Sequence, residues 1–241
     1  MATDGLVMER RDATLSVTID HGEGNLFSPA MVIELLSQLR VAGDDPALRF
    51  VRLGARGDVF CLGREGARRE GPPPTPRSIR NVATSVVALN EVLQTTPLVV
   101  IAEVHGDAAG LGAGLVGCAD VAVASKDARL SVPEILSGFA PTVVIGWLGR
   151  TVPRKRAFEM VTTGAWVTAE TALCDGLLTE VVPRDRLAAR VDERLAVLAA
   201  LDATALRDAK TFMSHARAMD PSSAAAASIN ALAVSIAGGH A

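Results

Sequence analysis

Between Ala102 and Asp120 the chain reads AEVHGDAAGLGAGLVGCAD, with glycine at positions 106, 110, 112, 114 and 117. Backbone this bare, placed directly after a hydrophobic strand, exposes peptide N–H groups to an incoming oxygen. Two chemistries use such a surface. Gly112, Gly114 and Gly117 fit G-x-G-x-x-G, the cradle of a dinucleotide pyrophosphate. A short helix starting near Gly110 would instead offer its unpartnered first N–H groups, and the positive end of its dipole, to an oxyanion.

Spacing separates the two. A dinucleotide cradle opens a crossover helix, and that connection needs about 10–12 residues before the next strand. Here a strand is expected from about Asp120, three residues past Gly117. The acidic residue that should end a strand about 20 positions later has only Glu134 as a counterpart. Glu134 follows Pro133 in what reads as a loop. The oxyanion reading is therefore favoured.

The elements that must hold these residues alternate between strand and helix. ATLSVTID (13–20) and LRFVRLGA (48–55) read as strands, and PLVVIAEVHG as a strand buried on both faces. Ser28 and Pro29 are the N-cap and first residue of a helix in SPAMVIELLSQLRVA. Ile79, Val82, Val86, Leu89 and Leu93 form an apolar stripe along a helix over 78–96. Strands over 119–125 and 176–183 flank a helical segment near 153–162, and Ala- and Leu-rich helices follow from about 185. This organisation predicts a β/α core over 1–185 and a helical C-terminal region over 186–241.

Composition narrows the function classes. With 49% hydrophobic and 21% charged residues the chain is globular rather than disordered. A formal charge of -3, 3% aromatics and no Tyr offer neither a field nor stacking platforms for nucleic acid. Cys61, Cys118 and Cys174 are odd in number and widely spaced, so they form neither a disulfide framework nor a metal pattern; Cys118 and Cys174 read as small buried apolar residues. With no signal-peptide pattern and no apolar run of membrane-spanning length, the expected location is cytoplasmic, without a membrane.

Four segments carry a resemblance: GNLFSPAMVIELLSQL, GDVFCLGREG, PLVVIAEVHGDAAGLGAGLVGCADVAVASKDARLSVPEILSGFAP and AFEMVTTGAWVTAETALCDGLLTEVVP. In order and content they resemble the crotonase family, the enoyl-CoA hydratase/isomerase superfamily, over roughly residues 13 to 185. The resemblance implies an α/β fold, the ClpP/crotonase-like spiral of β-β-α units, with a C-terminal helical region that assembles homotrimers or hexamers. It implies an acyl-CoA thioester substrate and no cofactor or metal beyond the coenzyme A that the substrate carries. It also implies an oxyanion hole made by the backbone amides of Arg64 and Leu111. Leu62, Gly63, Gly110, Gly112 and Gly114 would line the substrate, and Glu134 would be the catalytic carboxylate.

Departures from the family pattern shape the expected chemistry. Hydratase members carry a glutamate at the position of Gly114, and Leu111 stands where glycine is common. One carboxylate, Glu134, still suffices to move a proton along a dienolate and shift a double bond. A divergent hydratase, a decarboxylase or thioesterase, and a weakly catalytic acyl-CoA binder are the alternatives. Glu65 is expected to hold the oxyanion loop, Asp120 to serve structure, and His105 to be a hydrogen-bonded strand-end residue. Thr142 replaces an acid found in some hydrolytic or dehalogenating relatives. Arg68 and Arg69 could meet CoA phosphates or lie solvated.

Overall fold

The computed structural model describes residues 2–66 and 75–238. Its first strands lie outside the expected set: β1 (Ala2–Thr3) and β2 (Leu6–Arg11) turn back antiparallel, β2 against β3 (Thr14–Ile19). The last three residues of β2 are exposed and charged, so this edge strand lacks a strong apolar alternation. In α1 (Pro29–Asp44) the expected start is present, because Ser28 Oγ accepts from the Met31 N–H at 3.2 Å and Pro29 opens the helix.

β4 (Phe50–Ala55), α2 (Pro76–Thr95) and β5 (Val99–Val104) follow. The stripe on α2 starts later than its spacing predicted: Ile79 is exposed, and the buried positions are Val86, Leu89, Asn90 and Leu93. Next come β6 (Ala108–Ala109), α3 (Leu111–Gly117), β7 (Val121–Ser125) and β8 (Arg129–Ser131). Glu134 lies in a short 3-10 turn over Pro133–Ser137 rather than in a loop, since Pro133 presets the first helical dihedral. The core closes with α4 (Thr142–Leu148), α5 (Arg154–Thr163), β9 (Val167–Thr168), α6 (Ala169–Cys174) and β10 (Glu180–Val182). Beyond it stand α7 (Leu187–Ala199), α8 (Ala203–Ala216) and α9 (Pro221–Gly238).

Among the described residues, seven strands form the main sheet in the order β1-β2-β3-β4-β5-β7-β10, parallel from β3 onward. A second layer pairs β6, β8 and β9, and single bridges Phe27–Arg64 and Cys61–Ala108 add two more chain segments to the stack. The path thus repeats. Each turn gives one strand to the main sheet, a short segment to the second layer, and then a helix. The turns are β3–Phe27–α1, β4–Cys61–α2, β5–β6–α3 and β7–β8 with the Pro133 turn. This is the crotonase-type spiral.

One face of the main sheet is covered by α1, α2 and α3, whose Leu35, Leu39, Leu89, Leu93 and Leu115 are buried in the principal core. On the other face Phe50, Val99, Ile101 and Val123 pack on Leu187 and Val191 of α7, which is why β5 is buried on both sides. Each fully buried side chain of this size contributes about 1.5–3 kcal/mol. Asp120 has a structural role: its Oδ2 accepts from the Val100 N–H at 2.7 Å and from Lys210 Nζ at 2.6 Å. Lys210 also donates to the carbonyls of Leu93 and Leu98, so one buried ammonium anchors α8 to the spiral. Cys61 and Cys118 are buried, but Cys174 is exposed, because α6 turns Ala169 and Ala172 inward instead. No helix among the described residues is long and apolar enough to cross a membrane, and no group of three His, Cys, Asp or Glu among them could hold a metal.

Candidate active site

Register places the site. Cys61 pairs with Ala108, and Ala108 pairs with Leu130 in the next turn of the spiral. Counting three or four residues onward on each turn gives Arg64, Leu111 and Glu134. The three residues singled out from the sequence therefore leave the second layer at corresponding points of three successive turns.

The first of these loops is held tightly. Phe27 N–H donates to the Gly63 carbonyl at 3.0 Å and Glu65 N–H donates to the Phe27 carbonyl at 2.9 Å, so the Arg64 amide between them faces away from Phe27. Gly63 has φ of 120°, a conformation that other residues rarely adopt. Glu65 supports this loop as expected, through a 2.9 Å contact with His21 Nε2. Asn25, which sequence reasoning missed, accepts from the His21 N–H and donates to the carbonyls of Arg56 and Val59. That buried carboxamide fastens the turn before Phe27 to the strand exit before Cys61.

The second amide sits at the start of α3. Gly110 is its N-cap, with φ 53° and ψ -115°, and its N–H donates to the Ser131 carbonyl at 3.0 Å. Neither the Arg64 nor the Leu111 N–H donates to another group among the described residues. Leu111 is 6% exposed and its side chain joins the core, so the residue found in place of glycine leaves the amide side clear. Gly112 is required by contact. A Cβ there would lie 2.1 Å from the Cys61 carbonyl oxygen. The two glycine turns face one another, since a Cβ on Gly110 would lie 3.7 Å from Gly63 Cα.

Glu134 completes the group. A Cβ on Gly110 would lie 3.3 Å from Glu134 Oε1, while Oε2 is buried and has no hydrogen-bond partner in the protein. Burial pushes the Glu134 carboxyl above its ordinary value of 4.5, and its own backbone N–H and the Arg64 guanidinium oppose part of that shift. The turn that carries it is fixed by Ser131, whose buried hydroxyl donates to the Gly164 carbonyl at 2.9 Å. Gly164, with φ of 60°, lets α5 end against Pro133 and Leu136.

Leu62 is 38% exposed at the mouth of this arrangement. Beside Arg64 a cleft of about 130 Å³ opens between α1 and α2, lined by Pro29, Val32, Ile33, Val82 and Val86 among others. Its walls are mostly apolar, and Arg64 lines one side. Gly114 lies one turn into α3, where Asn90 and Trp147 approach it. His105 only bonds the Gly57 carbonyl at 3.0 Å, and burial lowers its pKa. Thr142 opens α4 with a hydroxyl and no acid. Arg68, Arg69 and most of the 66–80 loop lie outside the described residues.

Two unpartnered backbone amides and one desolvated carboxylate are thus gathered on a β-β-α spiral of the crotonase class. The family model described as enoyl-CoA hydratase/isomerase matches residues 9–235, and the chain belongs to that family. Enoyl-CoA hydratase domain-containing protein 3, mitochondrial, of Xenopus laevis is 37% identical over 166 residues, 68% of this chain and 55% of that protein. The chain thus spans just over half the length of this curated relative. A (7aS)-7a-methyl-1,5-dioxo-2,3,5,6,7,7a-hexahydro-1H-indene-carboxyl-CoA hydrolase of Rhodococcus jostii is 32% identical over 202 residues, 83% of this chain and 76% of that one. The crystal structure of an enoyl-CoA hydratase from Mycobacterium smegmatis superposes with a TM-score of 0.90 at 28% identity, over 96% of this chain and 90% of that chain. The cytoplasmic expectation is corrected by these comparisons: the Xenopus relative and its zebrafish and human counterparts are mitochondrial proteins. The lack of a recognisable leader pattern carried no information about compartment.

Proposed function

We propose that the protein is a cofactor-independent acyl-CoA enzyme that holds a thioester enolate with the Arg64 and Leu111 amides and moves its proton with Glu134. The observation that carries this reading is the placement of Glu134 Oε1 beside Gly110, with Oε2 desolvated and the carboxyl shifted upward. A base of raised pKa removes a proton beside the thioester carbonyl, and the two amides take up the charge that develops on its oxygen. Returned to a different carbon of the dienolate, the proton shifts the double bond of an enoyl-CoA. Gly114 offers no second carboxylate, which favours this isomerisation over hydration. Coenzyme A enters only as part of the substrate.

We extend the proposal to assembly. Ile229, Leu232, Val234 and Ile236 on α9 are exposed, and burying them between copies fits a homotrimer, or a hexamer built from two trimers.

The test is turnover of 3-enoyl-CoA and 2-enoyl-CoA by the purified protein beside Glu134→Gln. Conversion of the 3-enoyl thioester without net hydration, lost in the variant, supports the isomerase. Hydration of the 2-enoyl thioester moves the reading to a divergent hydratase. Thioester turnover that survives in Glu134→Gln points to decarboxylation or hydrolysis carried by the oxyanion hole, and inactivity on all substrates points to a binder.

A further inference from the structure

Arg64 and Glu65 lie between two permissive residues. Gly63 has φ of 120° and Gly66 φ of 96°, conformations that other residues rarely adopt. A Cβ on Gly66 would meet nothing within 4 Å, so packing does not hold that end of the loop. Backbone bonds stitch the loop to the turn before α1. Leu62 N–H donates to the Gly24 carbonyl at 2.9 Å, Phe27 N–H to the Gly63 carbonyl and Glu65 N–H to the Phe27 carbonyl. The two bonds that flank Arg64 both end on Phe27, so by themselves they leave the loop a pivot there. On the Leu62 side Gly24 is a second anchor. On the Gly66 side the further anchor among the described residues is a side chain, the Glu65 carboxylate, which accepts from His21 Nε2 at 2.9 Å.

His21 is itself held from several directions. Its backbone N–H donates to Asn25 Oδ1 at 2.8 Å. A Cβ on Gly5 would lie 2.8 Å from His21 Nδ1 and 2.8 Å from Met31 Sδ, so the ring, the β1–β2 turn and α1 meet where only glycine fits. Gly5 has φ of 87°, and its carbonyl accepts from the Asp20 N–H at 3.0 Å. The ring is thus wedged between the hairpin turn and the buried Met31, with its other nitrogen on Glu65. The two side chains are 26% and 46% exposed. A pair this open to water adds little to overall stability, and what it supplies is direction.

We infer that His21 is a positioning residue: through Glu65 it stops the loop from turning about Phe27 and so fixes where the Arg64 N–H points. Hydrogen bonds weaken steeply with misalignment, so a small rotation of that amide is enough to lose its donation. The inference rests on the reading of the Arg64 amide as a donor to the thioester oxygen. It gives the N-terminal hairpin a part in the reaction, as the backstop of the His21 ring.

Infrared difference spectra of butyryl-CoA, isotope-labelled at the thioester carbonyl and bound to the protein, test it without turnover. The bound carbonyl stretch should lie below that of the free thioester. His21→Leu should return it toward the free value, and His21→Gln, whose amide N–H still reaches Glu65, should not. With a substrate that the protein turns over, His21→Leu should lower kcat about tenfold with KM little changed, and Glu65→Ala should do the same. The double variant should lose no more than either single one, because the two residues act as one clasp. A lowered stretch that is unmoved by His21→Leu overturns the clasp and leaves the acyl-CoA reading standing. Equal losses in His21→Leu and His21→Gln overturn it as well, since a donor to Glu65 would then have no effect. If butyryl-CoA does not bind, or binds with its stretch unshifted in the unaltered protein, the acyl-CoA reading falls and the clasp with it. Thermal melts of each variant identify a purely structural His21, which would lower the melting point and leave the carbonyl stretch in place.

Discussion

The first turn of α3 and its middle are built differently. At the first turn the unpartnered groups are backbone amides, and Gly110 and Gly112 there, with Gly63 on the facing loop, are needed because a side chain would strain or collide. One turn later Gly114 is not crowded, and the polar groups around it are side chains from α2 and α4. The cradle is thus made by chain path, and its neighbour by packing. Backbone groups sit where a spiral of fixed register puts them. Side chains need two helices to dock at the right height.

Substitutions probe that difference. The largest expected effect is on chemistry: Glu134→Gln should lower kcat by about 10²–10⁴-fold in steady-state turnover. The same change should raise stability at neutral pH. The Glu134 carboxyl is shifted upward in the folded state, so ionising it opposes folding, and this cost appears as pH rises from the unfolded value through the folded one. Melting curves of the two proteins should converge at low pH, where both carry a neutral group.

Next comes the cradle. Gly112→Ala drives a Cβ into the Cys61 carbonyl, which belongs to the bridge that aligns the two amides. A loss of about 3 kcal/mol in denaturant unfolding is expected, with kcat falling alongside it. If stability drops and kcat does not, the amides are not the oxyanion hole.

A smaller effect is expected from Arg64→Leu, which keeps the amide and removes the guanidinium that holds the Glu134 carboxyl down. The acid limb of kcat/KM already lies above 4.5 on this account, and it should move further up in the variant. A pH–rate profile checks both statements.

The smallest effect is expected at the middle of α3. Without ligand, Asn90→Leu replaces an unpartnered buried acceptor by a side chain of similar size, so its melting point should stay level or rise by about 1 kcal/mol equivalent. A clear loss of stability would mean that the carboxamide is satisfied in the free protein, and would blur the contrast with the cradle.

Much of this was legible in the residues. Ser28-Pro29, the apolar run at 98–104 and the three-residue gap after Gly117 were enough to place α1, β5 and the strand that rules out a dinucleotide crossover. The glycines that accept positive φ or close contact, and Glu134 after Pro133, marked residues that the structure brings together. Asn25, Asn90 and Trp147 were not found. Asn90 interrupts the buried face of α2, but one Asn in a stripe does not say what it faces. The charged hairpin strand over Leu6–Arg11 escaped because its apolar alternation is weak.

By itself the sequence determined the features that depend on local backbone: caps, strand and helix periods, and the glycines where no other residue fits. Only the tertiary structure decided which of them meet. Arg64, Leu111 and Glu134 are far apart along the chain and adjacent because successive turns of the spiral pair with one another in the second layer. The desolvation of Glu134 and the convergence of Asn90 and Trp147 on Gly114 likewise arise from packing, since burial and contact are properties of neighbours that no local window contains.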